Sequence, residues 1–238
     1  VVQKENILKL HLLSDLHLEF LRSYDVNDYI QPADVLVLAG DIHVGSRNSS
    51  EAVKRFAEHY EHVLYVPGNH EYYRTSIQEF HDNLVLPDNA KLLNPGTITI
   101  QGITFAGAAL WTNFRNNPMS ELAAKRAISD FRVIRDFNTS KAKEIFNQHY
   151  AFLKANPADV VITHFLPTPE CVHPKFRGGD PLINYYFAND VLDVQPKLWL
   201  FGHTHEHMDF ISNSTRYLAA PVGYPGEASH ITGVVLDL

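Results

Sequence analysis

Seven side chains able to bind a divalent cation each follow a short apolar run: Asp15, His17, Asp41, Asn69, His164, His203 and His205. An eighth reactive group, His70, stands directly beside Asn69. Carboxylates, an amide oxygen and imidazoles together make a mixed nitrogen and oxygen donor set, which suits divalent transition metals. Seven donors exceed what one such ion uses, and fit two ions that share a carboxylate. Each motif alone has a plainer reading. Asp15-x-His17 could be a polar loop, Asp41 a turn-capping aspartate, His164 a strand-end histidine and His203-x-His205 a structural pair. Their recurrence after five separate apolar runs is what points to one metal-binding edge.

The elements that must position these groups have a common grammar. Val35-Leu-Val-Leu-Ala39 runs without a polar break into Gly40-Asp41. It reads as a parallel strand buried on both faces. Asp41 then lies at the carboxyl end of a central strand, where open α/β sheets place their chemistry, and it is the geometric candidate for the shared ligand. Residues 7–13, 63–66, 160–163 and 198–201 read as sister strands. Ser49 or Ser50 is expected to cap a helix reaching about His62, with Glu51 in its first turn and Val53, Phe56, Ala57 and Tyr60 as its buried stripe. Ser76 caps a second helix over 77–85, with Glu79 completing a capping box. From about 91 come short strands at 91–94, 97–100 and 103–110, with a hairpin turn at Gln101-Gly102. Helices are expected over 119–138 (whole or broken), 140–155 and 184–192, and strands over 207–212, 216–220 and 230–238. The class is α/β with a mixed or second sheet, and 1–238 reads as one domain. The long, Pro- and Gly-rich segment 165–189 lies next to the reactive edge and is expected to shape a pocket.

Bulk properties narrow the function. Acidic residues outnumber basic ones, 27 to 20, for a formal charge of −7, and there is no Lys/Arg block. Nothing advertises a nucleic-acid groove. The opening stretch lacks the apolar run of a signal peptide, no segment approaches transmembrane length, and the single Cys171 excludes an intrachain disulfide. A cytoplasmic chain acting on a small molecule, with no membrane and no obligate protein partner, is the expectation.

The motifs Asp15-x-His17, Gly40-Asp41, Gly68-Asn69-His70-Glu71, His164 and Gly202-His203-x-His205 together resemble the calcineurin-like metallophosphoesterase superfamily. The resemblance covers residues 15 to 205 in that family's order and is highly specific. It implies a four-layer α/β/β/α sandwich around two mixed β-sheets. It also implies that Asp15, His17, Asp41 and His205 hold a first metal, and Asp41, Asn69, His164 and His203 a second. His70 matches the catalytic histidine that binds no metal. Serine/threonine protein phosphatases of the superfamily carry Gly-Asp-x-x-Asp-Arg-Gly, whereas this chain has Gly40-Asp-Ile-His-Val-Gly45, so an orienting Asp and a substrate-binding Arg are both missing. The segments 110–114 and 163–176 instead look like small bacterial and phage members.

From these groups the expected chemistry is phosphoester hydrolysis. Two cations clamp the phosphoryl group and acidify a bridging water, whose hydroxide attacks phosphorus in line. Asp41 and His70 are the catalytic residues, with His70 giving a proton to the leaving oxygen. Asn69, His70, Arg74, Arg115, Lys175 and Arg177 are candidate substrate contacts. Manganese is the first expectation for both ions, with Fe, Zn, Co or Ni open. Few groups are set aside for a dianion, so small phosphodiesters lead, with phosphomonoesters second. A protein-binding scaffold that has lost activity is a third reading, opposed by the presence of every ligand.

Overall fold

The computed structural model describes residues 7–227 and 232–238. The strands are β1 (Lys9–Leu13), β2 (Val35–Ala39), β3 (His62–Val66), β4 (Ala90–Leu92), β5 (Gly96–Ile100), β6 (Ile103–Ala108), β7 (Val160–Thr163), β8 (Leu198–Phe201), β9 (Met208–Ser212), β10 (Thr215–Ala219) and β11 (Val234–Asp237). The α-helices are α1 (Ser46–Ala57), α2 (Ile77–Asn83), α3 (Pro118–Ala127), α4 (Asp130–Val133), α5 (Thr139–Ala155), α6 (Pro174–Arg177) and α7 (Pro181–Phe187). One sheet has the order β11-β1-β2-β3-β4, the other β5-β6-β7-β8-β10-β9. In the first, β1 to β4 are parallel and β11 is antiparallel to β1. In the second, β6, β7, β8 and β10 are parallel, with antiparallel β5 and β9 at the edges.

The unbroken apolar run of β2 has a direct cause. Val35, Val37 and Ala39 face the second sheet, in a core shared with Phe105, Ile162 and Leu200. Leu36 and Leu38 face the other way, against Val53 and Phe56 of α1. The outer face of the second sheet packs Val161, Trp199 and Phe201 against Phe146 and Leu153 of α5. Helices therefore cover the outer faces of two stacked mixed sheets, which is the expected α/β/β/α sandwich. Every strand that delivers a candidate ligand is buried on both sides.

Several element boundaries differ from expectation. Helix α1 starts at Ser46, so Ser49 and Ser50 lie inside it and Glu51 is past its first turn. Gly45, at φ 78°, ends the Asp41 loop early and starts the helix without a side-chain cap; the Ser49 hydroxyl donates instead to His43 O and Gly45 O at 2.9 Å. Ser76 does cap α2, accepting from Glu79 N at 3.1 Å, but the Glu79 carboxylate pairs with Arg135. The 119–138 region is two helices, broken where Ile128 is extended. The helix expected over 184–192 is α7, which starts at Asp180-Pro181, a capping aspartate followed by a first-turn proline. β4 joins the first sheet, beside β3, while β5 opens the second. Residues 230–231 of the expected last strand lie outside the described residues; β11 starts at Val234. No helix among the described residues is long and apolar enough to cross a membrane.

His149 of α5 carries a consequence for stability. Its Nδ1 accepts the Leu110 amide at 3.2 Å in the interior, which requires neutral imidazole. Burial, helped by the charge of His81, pushes its pKa down to about 3. The unfolded chain binds this proton at its ordinary pKa, so the native state loses stability as pH falls from about 6.5 toward about 3. His149→Gln, compared with the parent by urea unfolding at pH 7 and pH 5, is expected to remove on the order of 2 kcal/mol of the acid-dependent loss. An unchanged pH dependence would contradict this role.

Candidate metal centre

The seven donors meet at the carboxyl ends of β1, β2, β3, β7 and β8. Four of them sit in left-handed backbone: Asp15 (φ 52°), His17 (45°), Asp41 (56°) and His203 (64°). Such conformations cost about 1–3 kcal/mol each and persist only where surrounding structure holds them. Here the sheet pairing continues into the loops, with Asp15 N donating to Gly40 O at 2.9 Å and His17 N to Asp41 O at 3.0 Å. Two glycines let the loops close up. A Cβ on Gly40 would lie 2.3 Å from His164 Nδ1, and one on Gly68 would lie 2.1 Å from Asp41 Oδ1.

The donor atoms fall into two groups, Asp15/His17/His205 and Asp41/His164/His203, each lying within 4.8 Å. Asn69 Oδ1 is 3.1 Å from His164 Nε2, which places it in the second group. Asp41 Oδ2 stands between the groups, 3.8 Å from His17 Nε2 and 3.5 Å from His164 Nε2. Partners on the far side of the His17, His164 and His205 rings set which of their nitrogens faces inward, with His17 Nδ1 against Glu19 Oε1 at 3.3 Å. His164 Nδ1 donates to Ala39 O at 2.9 Å, and His205 Nδ1 to Glu227 at 2.8 Å. The inward nitrogens then lie 3.1 Å apart at His17 Nε2–His205 Nε2, where lone pairs face each other, and at His164 Nε2–His203 Nδ1. Two such lone pairs repel unless a proton or cation lies between them. This arrangement fits a pair of divalent ions.

Glu71 organises these turns from below and was assigned no role by sequence reasoning. It is fully buried and accepts from Asp41 N (3.0 Å), Ile42 N (2.8 Å), Gly68 N (2.8 Å) and the Tyr65 hydroxyl (3.1 Å). Burial, then the nearby Asp41 charge, pushes its pKa up to about 7, against the pull of the backbone amides.

His70 faces the same edge. Its Nδ1 bonds Glu19 Oε1 at 2.8 Å, its Nε2 lies 3.3 Å from the Tyr224 hydroxyl, and its ring stacks on Tyr73 at 4.2 Å. Burial would lower its pKa, but the Asp41 and Glu19 carboxylates raise it to about 9. Burial would likewise raise Glu19, yet its bonds from His17 and His70 hold it down to about 2. Glu19, Tyr224 and Glu227 are site residues that sequence reasoning missed. Only Glu19, two positions past His17 in an apolar-polar alternation, left a local signal.

A cleft of about 690 Å³ opens over Asp41, Asn69, His70, His203 and His205 and is walled by the 165–189 segment. Lys175 lines it, paired with Glu206. Arg74 lies in an adjoining cleft of about 670 Å³ that shares His70 and Tyr73. Arg115 and Arg177 line neither. Arg115 stacks over Tyr185 and reaches Asn189 O, and Arg177 donates to Val172 O and Glu170 O, so both tie loops together. Trp111, Tyr72 and Cys171 are buried core groups.

Comparison with known proteins agrees with this architecture. A family model for calcineurin-like phosphoesterase matches residues 8–207. Uncharacterized protein L509 of Acanthamoeba polyphaga mimivirus is 28% identical over 269 residues, covering 93% of each chain. The fold is similar to phosphopantetheinyl hydrolase from Mycobacterium tuberculosis, with a TM-score of 0.78 at 16% identity over 97% of this chain and 95% of that one. It is also similar to a dimetal phosphatase from Danio rerio, with a TM-score of 0.51 at 14% identity over 89% of this chain and 86% of that one.

Glu71→Gln keeps the shape but turns an NH₂ toward amide donors. It is expected to cost about 3 kcal/mol in urea unfolding of metal-stripped protein. Parent-like stability would show that the two turns do not depend on this carboxylate.

Proposed function

The chain belongs to the calcineurin-like phosphoesterase family, and from that premise we propose that it is a dinuclear metal-dependent hydrolase of small phosphodiesters. The observation that carries the diester preference is the character of the cleft. Beyond the donors its wall carries an apolar stretch, Ile128, Leu166, Val172, Phe176, Ile183 and Phe187, among polar and acidic groups that include Asp130, Asp180 and Glu227. Lys175, the Lys or Arg found along it among the described residues, is already paired with Glu206. A diester carries a single charge and two organic arms. Such a substrate needs less cationic support than a monoester dianion and can lay an arm on the apolar wall.

In this reading Asp15, His17 and His205 hold one ion, Asn69, His164 and His203 hold the other, and Asp41 contributes to both. When bound, the ions would neutralise charge on phosphoryl oxygens and acidify the attacking water. Mixed donors suit manganese, with Fe, Zn, Co or Ni as alternatives. The chain's own residues supply the proton. Glu19 takes the Nδ1–H of His70, which leaves Nε2, near Tyr224, to protonate the leaving oxygen. The one cysteine, Cys171, is free and buried, which fits a reducing, cytoplasmic setting.

A monoesterase reading is favoured by one feature, the adjoining cleft lined by Arg22, Arg55 and Arg74, where extra negative charge could be met. Parallel assays on aryl phosphodiesters and phosphomonoesters, with metal-stripped protein reloaded with each ion, separate the two. The diester is expected to show at least a tenfold higher kcat/KM; the reverse order would replace the diester assignment.

His70→Ala is expected to lower kcat by about 10²–10⁴-fold for alkoxide leaving groups, with metal content unchanged. The loss should shrink for nitrophenolate, which needs no proton. Glu19→Gln should follow the same leaving-group trend with a smaller loss. Equal losses for both leaving groups would remove His70 from proton transfer.

A further inference from the structure

Asp130, at the head of α4, is 1% exposed and belongs to neither donor group. It is surrounded by donors. Its Oδ1 accepts from Asn69 Nδ2 at 3.1 Å and from the Tyr73 hydroxyl at 2.7 Å, and its Oδ2 accepts from the Tyr186 hydroxyl. An amide side chain has two faces of nearly equal size, one an acceptor and the other a donor, and its neighbours decide which way round it sits. For Asn69 the decision is made on the side away from the ligands. With Nδ2 held by Asp130, and 3.3 Å from the Tyr73 hydroxyl, Oδ1 must face His164 Nε2. A flipped amide would set its oxygen against the Asp130 carboxylate and its NH₂ group where an ion needs a lone pair.

We propose that Asp130 is a positioning residue for the second ion, acting through Asn69, whose carbonyl oxygen it turns toward the metal site. The proposal rests on the dinuclear reading above. The same carboxylate reaches further. Tyr73, which it holds, stacks on the His70 ring, and Tyr186 belongs to α7 in the cleft wall. One buried acceptor thus ties a candidate ligand, the face of the candidate acid and the substrate wall to a common point.

Mn²⁺ titration of metal-stripped protein by calorimetry tests this without reference to turnover. Asp130→Asn keeps the volume but loses the acceptor-only character. Its second-ion Kd is expected to weaken about 10- to 100-fold, the scale for groups that orient a ligand, while the first-ion Kd stays within about twofold. The reversed pair, Asn69→Asp with Asp130→Asn, lets an amide at 130 donate to a carboxylate at 69. It should bind the second ion at least tenfold more tightly than Asn69→Asp alone, where two carboxylates face each other. That comparison also decides the matter if Asp130→Asn fails to fold. Parent-like binding of both ions by Asp130→Asn would overturn the proposal, as would equal second-ion affinity in the reversed pair and Asn69→Asp. A parent protein that takes up fewer than two ions overturns the dinuclear reading itself, and the proposal with it.

Discussion

Imidazole nitrogens held 3.1 Å apart inside a protein repel unless a proton or a cation lies between them, and the loops and carboxylates around this edge hold them there. The strands alone cannot do it. Four of the seven donors sit in left-handed backbone, which L-residues avoid. The required rigidity comes from below, where two stacked sheets leave no room for the strand ends to relax. Ala39, at the end of β2, shows the economy of the design. Its side chain packs between the sheets, its carbonyl oxygen sets the His164 tautomer, and the next two residues form the turn that presents Asp41.

Carboxylates outside the donor groups form a second tier. Glu71 gathers the backbone amides of the Asp41 and Gly68 turns, Glu19 takes Nδ1 of His70, and Glu227 takes Nδ1 of His205. Glu19 and Glu227 thereby set which nitrogen of their imidazole faces the candidate site, and Glu71 fixes the turns that carry Asp41 and Asn69. Part of the −7 formal charge is therefore internal scaffolding.

Local pattern was enough to read most of the frame. β2 and β8 show as apolar runs because both faces are buried, and Ser76 shows as a cap because its hydroxyl has a helix start to serve. It failed where a three-dimensional neighbour overrode the local signal. Ser49 and Ser50 look like caps, but Gly45 had already turned the chain, helped by Gly45 N donating to Glu71 O at 3.0 Å. Arg115 and Arg177 look like phosphate contacts, yet Arg115 reaches the Asn189 carbonyl 74 positions away and Arg177 the carbonyls of Val172 and Glu170.

Residue types and their order along the chain determined the strand ends, the kinds of donor each carries and the parallel character of the sheets that bring them to one side. These follow from periodicity and from burial on two faces, which neighbours in sequence record. The tertiary structure alone decided which nitrogen of each imidazole turns inward, which way Asn69 presents its amide and which tyrosine meets His70. Those choices depend on Ala39, Glu227, Asp130 and Tyr224, which lie 125, 22, 61 and 154 positions from His164, His205, Asn69 and His70. Contacts made across such separations leave no trace in local spacing, because only the packed sheets bring the groups within hydrogen-bond reach.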